Sequence, residues 1–267
     1  MRRVLCVVML VLMVAVAAGC AGGVYNVPKD QYKSMVKTLG VLPLMVDSGS
    51  AISHPESRQV IDLLRRDNLN KEDSLVELLR EKKAYFDVRA VEGDPSELFR
   101  RITVSRKVAG DENGGYVYRF RPEAVSRLAR TTVTDALLVV IFNGASRQER
   151  RWDRTKINYL DAMYDSILVS AAVVLPSGEV VWEYRSPVGD PFLNLQYPDF
   201  DEAYYNKTDQ VAVKYITLAG LERALAEPDK SWFGQSQLPI LYHKLFKKLA
   251  GGLKPGFMNP FDKPAAD

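Results

Sequence analysis

Few side chains in this 267-residue sequence have a type and spacing that could do chemistry. Cys20 follows three small residues, Ala17, Ala18 and Gly19, at the end of an apolar run that opens on Arg2 and Arg3. A thiol there is a nucleophile placed where an export signal would be cut. Ser146 lies in Gly144-Ala145-Ser146-Arg147-Gln148 after a long apolar run, as a hydrolase nucleophile does, but the second glycine of the sharp turn is missing. The two histidines, His54 and His243, are far apart, so a serine triad depends on the fold carrying one of them to Ser146. Asp47, Asp87 and Asp135 flank apolar runs, where carboxylates make acid/base pairs or, far more commonly, cap and solvate strand ends. The acidic stretch 109–115, AGDENGG, lacks the alternating oxygen ligands and closing glutamate of a calcium loop. Phosphate-binding glycine loops, dinucleotide fingerprints and HExxH are absent from the sequence. The expectation is a protein without catalytic residues, metal or cofactor.

Residues 1–19 have the three-part order of an export signal: a basic start, an apolar centre over 4–18, then small residues. That centre is shorter than the ~20 residues a helix needs to cross a bilayer. Ala17-Ala18-Gly19-Cys20 resembles the lipobox of bacterial lipoproteins. The resemblance implies cleavage between Gly19 and Cys20, a diacylglycerol on the Cys20 thiol and an acyl group on its new amino terminus. One acyl chain holds a protein only marginally, whereas several hold it firmly. Ala21, rather than aspartate, after the cysteine implies the outer membrane under the sorting rule of many Gram-negative lipoproteins.

Without Arg2 and Arg3, 34 basic residues face 33 acidic ones, a net charge of +1 that gives no electrostatic case for nucleic acid. The other cysteine, Cys6, lies in the signal, so the processed chain has no pair for a disulfide and no cysteine cluster for a metal. The 248 residues from Cys20 onward suffice for one large domain.

The apolar patterning sets the elements that must position any site. Residues 20–36 read as a tether that docks. Residues 37–47, KTLGVLPLMVD, read as a strand buried on both faces, with Pro43 marking a bulge or edge. Helical spacing follows over 56–66 and again from 73, then a strand over 85–91, giving a β-α-β unit. Asp94 and Pro95 start a short helix to 102. Residues 105–118 read as a loop, 122–130 as a helix, and 135–143 as the central strand. The stretch 145–158 reads as a basic, exposed connection. Residues 164–175 and 179–185, joined by Pro176-Ser177-Gly178, form the clearest hairpin. A long helix is expected from 208 or 209 to 226, another over 238–249, and a loosely ordered tail over 251–267. The whole is a single α/β domain over 37–250, a mixed central sheet (β-α-β-α-β-β-β) flanked by helices, with C-terminal helices.

Residues 37–47, 134–142 and 173–184 together resemble a domain of Gram-negative envelope lipoproteins, that of the curli-secretion lipoprotein CsgG and the N-terminal domain of TolB. The resemblance covers about residues 40–190. It implies an envelope role and transfers no catalytic residue. The loops at 105–118 and 145–158 depart from the pattern, and no apolar-alternating hairpin long enough to line a secretion pore is visible.

The reading that follows is a non-enzymatic lipoprotein, held to membrane lipid by Cys20 in the outer membrane and facing the periplasm. Its partners are envelope proteins or further copies of itself. Two stretches are candidate partner surfaces: Arg147, Arg150, Arg151, Trp152 and Arg154, and the aromatic segment with Phe192, Tyr197, Phe200, Tyr204 and Tyr205. The alternative is a periplasmic carrier for a lipid or small apolar ligand, which requires an enclosed pocket. An envelope hydrolase is the lesser alternative.

Overall fold

The computed structural model describes residues 23–110, 114–187, 189–208, 210–229 and 238–254. The export signal, Cys20 and the tail from 255 lie outside the described residues. A single α/β domain is built on an eight-stranded mixed sheet.

The chain opens with β1 (Val24–Tyr25) and α1 (Lys29–Met35). Both dock onto the fold: β1 pairs with the sheet edge and Tyr32 of α1 is buried in the core. The apolar run after Lys37 forms β2 (Thr38–Val41) and β3 (Met45–Val46), both parallel to the central strand. Pro43 separates them, because a residue without an N–H interrupts the ladder. Helices α2 (Ser57–Asn68) and α3 (Glu72–Glu81) then return the chain to β4 (Asp87–Ala90), parallel to β2. Asp94 caps α4 (Pro95–Ile102) by accepting from the Glu97 N–H at 2.7 Å.

The segment expected as a loop is a hairpin, β5 (Thr103–Val108) and β6 (Tyr116–Phe120). Its alternation in VSRKV and YVYRF is short and charged, and Tyr118 and Phe120 alone supply its buried anchors. Helix α5 (Pro122–Thr132) leads to Asp135, whose Oδ2 accepts from the Lys37 and Thr38 N–H groups and the Thr38 hydroxyl at 2.8–3.0 Å. Asp135 thus sutures the starts of neighbouring parallel strands.

The stretch 145–158 is strand and tight turn rather than an exposed basic connection. The central strand does not stop at Asn143. β7 (Ala136–Trp152) and β8 (Tyr159–Val174) pair from Leu137↔Val174 to Trp152↔Tyr159. Their far halves form an arm. β9 (Val180–Arg185) follows through the tight turn at Gly178, where φ is +82°. The sheet order is β1-β9-β8-β7-β2-β4, with β10 (Leu193–Asn194) beside β8.

The expected long helix from 208 is instead β12 (Val213–Tyr215) and the shorter α7 (Leu218–Ala226). β12 pairs with β11 (Gln196–Pro198), and α6 (Phe200–Tyr205) lies between them in the chain. Thr217 caps α7 by accepting from the Gly220 N–H at 3.2 Å, which fixes where the helix starts. Last comes α8 (Ile240–Gly252).

Alternation along β7 divides the core. Leu138, Val140 and Phe142 pack with α2, α3, α7 and α8, while Leu137, Val139 and Ile141 pack with α4, α5 and the β5–β6 hairpin. Among the described residues no helix is long and apolar enough to cross a membrane.

Candidate functional site at the end of the arm

The arm alternates as a sheet must, and the alternation sorts the arginines that look equivalent in sequence. Arg147, Glu149 and Arg151 share the covered face with Tyr164. Arg147 is 8% exposed, so it is corrected from a surface candidate to a buried one. Its Nη1 donates to the Pro187 carbonyl at 3.2 Å, and burial lowers its pKa, with Glu149 partly opposing the shift. Arg151 forks onto Glu149 Oε2 at 2.9 and 3.1 Å, donates to the Gln196 carbonyl at 2.6 Å and lies 3.9 Å from the centre of the Tyr164 ring. Arg151 therefore binds the arm to β11 and is not offered to a partner.

The opposite face of the arm carries Gln148, Arg150, Trp152, Tyr159, Asp161 and Met163, all exposed. Gln148 and Arg150 both donate to Asp161, at 2.6 and 3.2 Å, and together they lower its pKa. Arg150 stacks 4.3 Å from the Tyr159 ring centre, and Trp152 packs 5.0 Å from the same ring. Asp153 closes the turn by accepting from Thr155, Ile157 N–H and Asn158 at 2.9–3.1 Å. Burial alone would raise the Asp153 carboxyl, but these bonds outweigh it and the net shift is downward.

Beside that turn lies α6. Asp199 accepts from the Ala212 N–H at 2.6 Å and pairs with Lys214 at 2.9 Å; Lys214 also reaches Glu202. Tyr197 donates to Glu202 at 2.8 Å. Lys214 lowers both carboxyls, and Glu202 in turn raises the Tyr197 hydroxyl. Arg154 pairs with Asp201 at 2.7 Å and joins the arm to α6.

Two clefts result. One of about 280 Å³ is lined by Trp152, Arg154, Tyr197 and Phe200; another of about 740 Å³ by Asp153, Arg154, Tyr159, Phe200 and Tyr204. Tyr204 and Tyr205 stand 81% and 80% exposed beside them. The two stretches singled out in sequence therefore meet at one place. Phe192 is the exception: at 6% exposure it packs edge-on against Phe142 at 4.8 Å in the core and is corrected from a surface residue to a core residue.

Ser146, a histidine and a carboxylate also come near one another. Ser146 donates to Asp165, Tyr215 donates to the same carboxylate at 3.0 Å, and the His54 ring lies 5.2 Å from the Tyr215 ring. His54 Nδ1 accepts from the Glu56 N–H at 3.0 Å, so its proton is on Nε2, 2.9 Å from the Ile216 carbonyl. Both ring nitrogens are committed, and Ser146 has no base beyond Asp165. His243 pairs with Asp229, on a different part of the chain. The Ser146 network ties the arm to β12 and the 48–54 loop rather than forming a triad.

Sequence reading missed one buried cluster. Asp47, 1% exposed at the end of β3, accepts from Tyr118 at 2.9 Å, Arg106 at 2.8 Å and the Gly49 N–H at 3.0 Å. It latches the β5–β6 hairpin onto the carboxyl ends of the parallel strands. An aspartate closing an apolar strand was the only signal, and its partners lie 59 and 71 residues away. Among the described residues no group of three or more His, Cys, Asp or Glu is placed to hold a metal.

In class, then, this is a single-domain, mixed-sheet α/β protein with a projecting two-stranded arm. No protein-family model and no curated protein matches the chain. Among solved structures, one described as a neuraminyllactose-binding hemagglutinin homolog from Helicobacter pylori aligns over 81% of this chain and 84% of that one, at 10% identity and a TM-score of 0.38.

Proposed function

We propose that this is an exported lipoprotein, anchored through Cys20 in the outer membrane and facing the periplasm, that works by binding an envelope protein at the end of its arm. The convergence of Trp152, Tyr159, Tyr197, Phe200 and Tyr204 around the Arg154–Asp201 pair carries the reading. Exposed aromatic side chains rimmed by ion pairs are the composition that protein interfaces favour, because rings bury much area at small entropic cost. The clefts are open and mixed in polarity, which suits a partner's side chains better than the sequestered acyl chain the carrier alternative needs.

The test is a photoreactive residue in place of Tyr204 in living cells, with Leu69, exposed on the α2–α3 turn, as control position. One defined adduct from position 204 and none from 69 supports the reading. No adduct at 204, or the same adducts at both positions, overturns it. Anchoring is read separately: Cys20→Ser should move the protein from membrane to soluble fractions, and unchanged retention would refute the anchor.

A further inference from the structure

At the end of the sheet opposite the arm, three tyrosines gather the chain. The Tyr25 and Tyr32 rings pack edge-on at 4.9 Å. The hydroxyls of Tyr32 and Tyr85 share a hydrogen bond of 2.6 Å. Tyr25 donates to the Gly252 carbonyl at 3.0 Å, and Tyr85 to the Leu253 carbonyl at 3.4 Å. This knot unites the first described residues, α1, the segment after α3 and the end of α8.

The three segments it joins, 24–37, 81–86 and 238–254, contain nine lysines against two acids, Asp30 and Glu81. Lys33 pairs with Asp30 and Lys248 with Asp190, and Lys244 lines a cleft beside Asp190, so the positive charge at the knot itself is carried by the exposed Lys29, Lys37, Lys82 and Lys83. Helix α8 carries Lys244, Lys247 and Lys248 and no acidic residue. Lys29, Lys82, Lys83 and Lys247 are exposed. Among them Phe86 stands 91% exposed, the most exposed large apolar side chain among the described residues.

Chain length adds a second constraint. Cys20 and Val24 are four residues apart, which spans at most ~14 Å even when fully extended. Screening at physiological salt acts over ~8 Å. An anchor at Cys20 therefore holds the knot within a short distance of the bilayer surface, where lysines feel anionic headgroups. Val24 pairs with β9, and Tyr25 sits level with Trp182 and Val173 across the sheet. The turn of the arm at Tyr159 is 14 residues farther along β8, ~45 Å at strand rise.

We infer that the lysine-bearing end around the tyrosine knot is a membrane-facing surface that rests on anionic phospholipid headgroups, with Phe86 entering the interface. The domain is thereby oriented with its arm pointing away from the bilayer. The inference rests on the lipid-anchored reading above.

The experiment uses the full processed, acylated protein in vesicles, with a fluorophore on Phe86→Cys or, in a second sample, on Tyr204→Cys, and a quencher carried on lipid headgroups. Mass analysis of the N-terminal peptide reports acylation independently, so failure of the anchor and failure of the surface are distinguishable. In phosphatidylglycerol vesicles quenching at position 86 should exceed that at 204 at least threefold. It should fall at least threefold in phosphatidylcholine, or when Lys29, Lys82 and Lys83 are all changed to Glu, while the protein stays anchored. Equal quenching at both positions, no quenching at 86, or quenching at 86 that ignores lipid charge and the lysine changes would each overturn the inference.

Discussion

The Arg154 guanidinium lies 2.7 Å from the Asp201 carboxylate, and this pair joins the turn of the arm to α6 across 47 residues of chain. Both side chains are largely exposed, at 86% and 58%, so water and salt screen the attraction. Its effect is on the shape of the two clefts rather than on the stability of the fold. Arg154→Ala and Asp201→Ala should each change unfolding free energy by less than ~1 kcal/mol in denaturant titration. The same variants should reduce photo-crosslinking from position 204 several-fold. The exchange Arg154→Asp with Asp201→Arg should restore it, an outcome a simple loss of partner contact would not produce.

The Lys214 network predicts a pH response with a definite sign. Lys214 lowers Asp199 and Glu202 below their ordinary 3.8 and 4.5. A depressed carboxyl contributes stability that is present above its unfolded pKa and lost as pH falls through the folded value. Lys214 itself is raised above 10.5 by these carboxylates, so its share is lost only as pH climbs beyond that. The α6 unit should therefore stay fixed against β12 from about pH 5 to 9 and loosen below about pH 4. Trp152 fluorescence, which reports the smaller cleft, should be flat across the first range and change in the second. Lys214→Ala should shift the change upward toward the ordinary carboxyl values; an unshifted midpoint would remove Lys214 as the cause.

How much of this was legible beforehand follows from how far each signal reaches. Continuous apolar runs such as 37–47 and 135–143 announce buried strands, because a parallel strand covered on both faces leaves no polar side to its pattern. Asp94-Pro95 and Pro176-Ser177-Gly178 announce a cap and a turn through local chemistry alone. The far half of β7 was not legible. Its buried face carries Arg147, Glu149 and Arg151, which become coverable only when Tyr164, Gln196 and Pro187 arrive from elsewhere. Four arginines in eight residues look solvated until those partners are known. The two candidate surfaces were each visible as composition, but their meeting at α6 depends on Arg154 and Asp201, which sequence cannot pair. Phe192 misled because an aromatic in an irregular stretch has the same pattern whether it faces water or, as here, Phe142.

The Asp47 cluster should be costly to break. The carboxylate is buried, and three donors converge on it from the loop, β5 and β6. Asp47→Ala leaves the Tyr118 hydroxyl buried without its acceptor and Arg106 without its counter-charge, which should cost ~3 kcal/mol or more. Tyr118→Phe removes a single donor and should cost ~1–2 kcal/mol. Because both substitutions disrupt the same contact, the double variant should be less destabilised than the sum. Chemical denaturation of the four proteins measures this, and strict additivity would show the two groups to be independent.

Gly144 tests whether the arm is rigidly held at its base. A Cβ added there would meet the Ala51 carbonyl oxygen and the Ile52 nitrogen, each at 2.4 Å. Both are backbone atoms, so no rotamer change relieves the clash, and the 48–53 loop would have to lift. That loop is fixed by the Gly144 N–H, which donates to Ser50 Oγ at 2.9 Å, and by Asp47 one turn earlier. Gly144→Ala should therefore destabilise by ~1–3 kcal/mol, the cost of overpacking, and expose the loop to amide exchange and proteolysis. Gly251, in α8, has open space around its Cβ position and no positive φ, so Gly251→Ala should be neutral or stabilise by up to ~1 kcal/mol. The contrast separates a packing requirement from the general entropy of glycine. If Gly144→Ala unfolds like the parent protein, the loop does not grip β7, and the arm is held by its other ties: Arg151 to β11, the Ser146–Asp165–Tyr215 network to β12 and the Arg154–Asp201 pair to α6.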